Sequence, residues 1–303
     1  MYINRMYYYI DFHKMNYCNI KYSAIFVICL LLVNDGLIAG AWLQGKNKGY
    51  SQLGFSYLHY NKMFYNAKAY NMPRSVTDIT YQWYQEYGLS NDFDLISVIP
   101  LKSVSNGEPN DLFDFSSISK FPNQFSLFGP GNIELGIKYS LKEKKTMQSL
   151  VLKWVMPTAI KDENSGLNTG YDGSGIYGAY LLGKGWNKSY FSGELGMYYR
   201  TNGFSNDLSV LLEYGRKLKF LDNDLWMVFV MNILQPTNKG NYENRNRYYS
   251  GLYASNIRFY SPGLKLNYNI TDKFWLNVSS FGALNANLGG KAPIINISIA
   301  YNW

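Results

Sequence analysis

Nine charged residues fall on the polar parity of segments whose other parity is apolar: Asp78, Glu86, Glu134, Lys138, Lys153, Glu194, Arg200, Glu213 and Lys265. Both signs are present, so no ring of one charge that would select ions is visible. The set fits a self-neutralising, plugged interior and a polar, weakly selective lumen about equally, and the sequence leaves both open. A different chemistry would rest on His59, the single histidine beyond residue 41. Hydrolytic sites set a histidine beside a serine and a carboxylate or amide. His59 shares parity with Leu53, Phe55 and Tyr57, but no serine motif accompanies it. An interfacial place beside Tyr60 and Asn61 is the simpler expectation, and no catalytic residue is assigned.

Two further stretches offer ligands or contacts. Asp162, Glu163, Asn164 and Asp172 are rich in oxygen but lack the ligand spacing of a calcium loop, so a solvated loop is expected. Both cysteines, Cys18 and Cys29, lie near the amino terminus, which excludes disulfides and thiolate metal centres from the rest of the chain. No glycine-rich phosphate loop and no basic surface with interleaved aromatics is present. No cofactor, metal or nucleic-acid partner is therefore expected. Between 102 and 129, Phe113, Phe115, Phe121, Phe125 and Phe128 recur among Ser, Asn and Asp. A water-exposed loop has little reason to carry five phenylalanines. Either this loop rests on a rim or lipid headgroups, or it folds inward as a constriction or an apolar capture site.

Positioning these residues falls to a series of alternating segments. Strands are expected at about 50–60, 76–88, 93–101, 130–141, 148–157, 173–184, 188–200, 207–218, 224–235, 257–270, 273–285 and 293–303. The fourth is the clearest: Ile133, Leu135, Ile137, Tyr139 and Leu141 oppose Asn132, Glu134, Gly136, Lys138 and Ser140. The third is apolar on both parities and its faces cannot be assigned. Segments 61–75 and 102–129 read as irregular connections.

Connections after the even strands are tight, such as Ser90-Asn91-Asp92 and Thr271-Asp272. Most of those after odd strands are long or rich in Gly and Asn. Short turns on one side and longer loops on the other are the habit of outer-membrane barrels. With 17% aromatic residues, 29 Tyr, 27 Gly and a mean hydropathy of −0.23, the composition also suits strands that are only half apolar. A soluble β-sandwich requires neither the alternating turn lengths nor an even strand count. The expected fold is an all-β antiparallel transmembrane barrel of about twelve strands, with ten or fourteen the neighbouring counts.

The only continuous apolar run, Ala24 to Val33, is too short to span a bilayer as a helix and fits a signal peptide. Ala39-Gly40-Ala41 supplies a cleavage site, so residues 1–41 are expected to be removed and 42–303 to form one barrel domain. Met15 is an alternative start to Met1. Removing Arg5, Lys14 and Lys21 against Asp11 and Asp35 takes the net charge from +8 to +7. Trp42 to Tyr50 then reads as a short polar lead-in at the periplasmic rim.

At the other end, Ile295, Ile297, Ile299, Tyr301 and Trp303 share one parity up to the last residue. This fits a closing stave facing outer-membrane lipid. It also resembles the signal by which the barrel-assembly machinery recognises its clients.

A family likeness joins these features. The start Gly40-Ala41-Trp42-Leu43-Gln44 running to Lys48-Gly49-Tyr50, the Glu86-Tyr87-Gly88-Leu89-Ser90 stretch and the terminal Tyr301-Asn302-Trp303 resemble transporter-type barrels. The likeness is to XagA-like proteins and to the MetA-pathway of phenol degradation family, and it covers essentially the whole chain after residue 41. It implies passive transport of small, often apolar or aromatic compounds, and it brings no catalytic residues. Two other expectations stand beside it: a closed structural barrel whose outer loops bind a partner, and a barrel enzyme built on His59.

Overall fold

A computed structural model describes residues 40–114, 122–141, 146–220, 223–242 and 250–303. The leader, Phe115, Phe121, the turn 142–145, Arg245 and Arg247 lie outside the described residues. Twelve long strands form the staves: β1 (Gly49–Tyr65), β2 (Lys68–Gly88), β3 (Phe93–Pro109), β4 (Glu134–Ser140), β5 (Met147–Val155) and β6 (Gly175–Trp186). They continue as β7 (Ser189–Arg200), β8 (Asp207–Phe220), β9 (Asn223–Pro236), β10 (Arg258–Asn269), β11 (Phe274–Gly282) and β12 (Pro293–Asn302).

Every neighbouring pair is antiparallel. β12 lies between β1 and β11, and pairing of β9 with β10 joins the remaining neighbours, so the sheet closes without an edge. Closure matters because unpaired N–H and C=O groups cannot be left in hydrocarbon.

Period-two sequences make a two-faced wall. Along β12 exposure runs 46% at Ile297, 7% at Ser298, 53% at Ile299 and 1% at Ala300. Leu53, Trp83, Leu135, Leu152, Leu195, Phe229 and Leu264 continue this apolar band around the outside. At the end where the tight turns gather, Trp303 stacks on Tyr87 at 5.7 Å and Tyr301 on Phe274 at 4.7 Å. Aromatic rings of this kind suit the headgroup interface. The third strand now has faces: Phe93, Leu95, Ile99 and Leu101 point outward, while Asp94, Ile96, Lys102 and Val104 are buried inward.

Two expectations about loops are overturned. Segment 61–75 is not irregular, because β1 and β2 run on as one hairpin past a bulge at Tyr60/Lys62. Its tip, Asn66 (φ 48°) and Ala67 (φ 63°), has the paired left-handed conformation of a tight hairpin turn. Likewise residues 102–109 extend β3, and Ser126–Pro130 folds back to pair with it. Long strands of this kind carry weak patterns above the membrane, where neither face must be apolar.

Candidate functional site

The inward face of the barrel collects charges and neutralises them. Lys138 Nζ sits 2.8 Å from Glu86 Oε2 and 3.8 Å from Asp94 Oδ2, with all three side chains nearly inaccessible. Lys102 pairs with Asp78 at 2.8 Å, and Lys265 with Glu213 at 2.7 Å. Lys153 pairs with Glu134, and Arg200 with Asp207. Glu194 accepts the Tyr177 hydroxyl, and Tyr190 donates to Glu213 at 3.0 Å. All nine charges named from parity therefore face the lumen and have partners there. Asp94, Lys102 and Asp207 complete the pairs but were not singled out by sequence. Asp94 sits in the strand without a readable face, Lys102 in a stretch read as loop, and Asp207 at a strand end. Buried charges are costly unless paired, so these pairs fix the geometry of the interior more than they stabilise it.

Only the back half of the segment before β1 stays at the rim, where Lys46 and Asn47 bond to Asn91 and Gly88 beside the β2–β3 turn; residues 40–44 instead enter the lumen. Ala41 is fully buried. Ser149 Oγ donates to Ala41 O at 3.1 Å, and Lys138 Nζ lies 3.4 Å from Gly40 O. The Gln44 backbone N–H donates to Asp94 Oδ2 at 3.0 Å, and its side-chain amide to Glu86 Oε2 at 2.8 Å. Trp42 meets the Tyr190 ring edge-on at 6.4 Å. It fits only because position 183 is glycine: a Cβ there would lie 2.7 Å from the Trp42 ring. A nine-residue polar stretch gave no sequence signal for insertion, because the acceptors and donors that hold it come from β2, β3, β4 and β5.

Over the opposite end, loops build an apolar cover. Tyr60, Met63 and Met72 of the β1–β2 hairpin pack with Val76, Val104, Leu167 and Leu252. Leu167 comes from the β5–β6 connection and Leu252 from the β9–β10 connection. The Tyr60 hydroxyl donates to Ser250 O at 2.6 Å, and the Ser250 hydroxyl to Gly166 O at 2.5 Å. Beneath lies a cavity of about 370 Å³, with Asp78, Lys102, Tyr171, Tyr198, Arg200 and Tyr253 in its wall. The Arg200 guanidinium stands 4.2 Å from the Tyr171 ring centre and 4.7 Å from that of Tyr198. Lys102 Nζ is 5.1 Å from the Tyr253 ring centre. Burial pushes the phenols of Tyr171 and Tyr253, both in loops above the staves, above their ordinary value, so they serve as neutral groups.

The phenylalanine loop is placed elsewhere. Phe128 lies across from Ser103 on the outward parity of β3, while its neighbour Leu127 faces inward opposite Val104. Phe128 therefore cannot line a constriction, and Phe125 is also exposed. Phe113 follows a turn closed by its N–H to Asn110 O. His59 is on the outer surface with Nδ1 2.9 Å from Thr77 Oγ1. In the acidic loop, Asp162 accepts from the Ser165 N–H at 2.7 Å and Asp172 pairs with Lys161 at 2.6 Å. Among the described residues no cluster of metal-ligating side chains is found.

No protein-family model matches the sequence, and no curated protein matches it. Solved structures do match. The COG4313 outer membrane channel from Pseudomonas putida F1 superposes with a TM-score of 0.62 at 13% identity, covering 89% of this chain and all of that one. The fold is an outer-membrane β-barrel. Looser likenesses are to the KdgM porin in complex with disordered oligogalacturonate, TM-score 0.45 at 6% identity over 83% of this chain and 99% of that one. The CymD monoaromatic hydrocarbon channel gives 0.44 at 8% identity over 86% and 90%. At these identities the likeness speaks for the fold alone. A closed twelve-stranded barrel with an apolar outer band of this fold is integral to the outer membrane.

Proposed function

We propose that this protein is a passive outer-membrane channel for small uncharged solutes, with aromatic or moderately apolar compounds as its cargo. The observation that carries this reading is the lumenal cavity, whose wall charges are all paired and whose remaining surface mixes tyrosine, hydroxyl and amide groups with the apolar Leu58, Pro100, Val155 and Ile294. An ion in such a space would lose hydration without meeting an unpaired counter-charge, whereas a neutral ring finds apolar contact and hydrogen-bond donors. The outward row Ile295 to Trp303 is read as the signal for the barrel-assembly machinery, and the residues ahead of Gly40 as the export leader removed before insertion, a cleavage two residues short of the one expected after Ala41 because Gly40 and Ala41 are docked in the lumen. Liposomes carrying the refolded chain 40–303 test the channel. Swelling should be faster for small neutral solutes than for ions of equal size, with low single-channel conductance. A barrel that is folded by heat-dependent gel mobility, yet passes no solute, overturns the reading in favour of a closed barrel acting through its loops.

A further inference from the structure

The two sides of the lumen are unequally filled, and the difference traces a route. Every hydrogen bond from Gly40–Gln44 goes to β2, β3, β4 or β5, and Trp42 rests on β6 and β7. Beneath this segment Ser149, Val151, Ala179, Leu181 and Ser192 are buried. Across the lumen, in the sector β11–β12–β1–β2, most inward side chains remain half-exposed.

Cross-strand register sets that sector out in rows. One row is Asn277, Ser298, Gly54 and Gln82. The next, one pleat toward the outer mouth, is Ser279, Asn296, Ser56 and Thr80. None of these positions is charged. Greasier rows bound them: Trp275, Ala300 and Tyr84 on the inner side, Phe281, Ile294 and Leu58 on the outer, interrupted only by Gln52 and by Asp78, which Lys102 neutralises. Asn277 donates to Ser298 at 3.3 Å and Asn296 to Ser279 at 3.1 Å. Each amide oxygen is thereby left available, and among the described residues the Gln82 amide has no protein partner. Ser56, Thr80, Gln82 and Asn296 also open into the cavity under the outer cover.

We propose that solute crosses the barrel along this four-strand sector, beside a docked amino-terminal segment. The two uncharged rows are its selectivity surface. They take small neutral solutes that carry a hydrogen-bonding group on an otherwise apolar body, because such a solute satisfies amides and hydroxyls in the middle and greasy rows at both ends. This rests on the channel reading above and adds the route and the polar handle.

The chain after residue 41 contains no cysteine, so single cysteines report cleanly. Ser56→Cys and Gln82→Cys are compared with Ser149→Cys and Ser192→Cys, using a small methanethiosulfonate reagent on the folded protein in liposomes. The first two should react at least about tenfold faster, in keeping with thiol access. Their modification should cut swelling by neutral solutes by about half or more as the passage narrows. Equal or inverted reactivity overturns the route, as does modification of Ser56→Cys and Gln82→Cys without an effect on swelling. Fast labelling of both in a barrel that never conducts places an open pocket here and overturns the channel reading, not the accessibility of this sector.

Discussion

The wall from β3 to β7 and the sector from β11 to β2 obey the same alternation, yet their inward faces differ in kind. The first carries Asp94, Lys138, Lys153, Glu194 and Arg200, mostly buried. The second carries Ser, Asn, Gln, Thr and Gly, mostly open to the lumen. Part of that charge holds chain: the Glu86–Lys138–Asp94 cluster anchors Gln44, and the small residues Ser149 and Gly183 make room for Ala41 and Trp42. From β11 to β1 and at Thr80, Gln82 and Tyr84 of β2, where no chain lies on top, the wall is neutral. The interior is thus neither simply plugged nor simply open; one side is a dock and the other a passage.

Removing the docked segment should erase the contrast. A chain beginning at Lys46 lacks Trp42 and Gln44, and the lumen should widen across the dock. Single-channel conductance is expected to rise about fivefold or more, with a cysteine at 149 becoming reactive. Unchanged conductance would mean that the segment does not limit passage. A smaller effect should follow from Lys138→Met, which leaves Glu86 and Asp94 buried without their shared cation. Loss of one partner of a buried pair costs about 3–5 kcal/mol, measurable by denaturant unfolding in detergent micelles. Adding Asp94→Asn to Lys138→Met should return part of the loss; no recovery would show that the cluster does not act as one unit.

The smallest effect belongs to the outer loops. Lys161, hydrogen-bonded to Asp172 and near Glu163, is held above its ordinary value of 10.5. A raised lysine contributes stability that is fully present below its unfolded value and lost as pH rises through the folded one. Both side chains are more than one-third exposed, so screening limits the pair to less than about 1 kcal/mol. Asp172→Asn should lower the melting temperature slightly at pH 8, and the difference from the parent should fade above pH 10.5. A large or pH-independent change would show that Asp172 acts through Tyr242, whose hydroxyl donates to the same carboxylate, instead.

Sequence alone determined the wall. Period two placed Leu135, Ile137 and Tyr139 outside and Glu134 and Lys138 inside, because the faces of a strand in a closed sheet have only lipid or lumen to meet. Tight connections placed the staves in order for the same local reason. What it did not determine was the content of the lumen. Residues 40–44 carry no pattern of their own; their place is set by Glu86, Asp94, Lys138 and Ser149, up to 108 positions away in the chain. The phenylalanine loop shows the same limit from the other side. Its composition left a rim contact and an inward fold both open, and pairing with β3 fixed the parity of Phe128 and turned it outward. Alternation is a property of one strand, whereas filling a cavity depends on which distant groups closure brings face to face, and only the tertiary structure decides that.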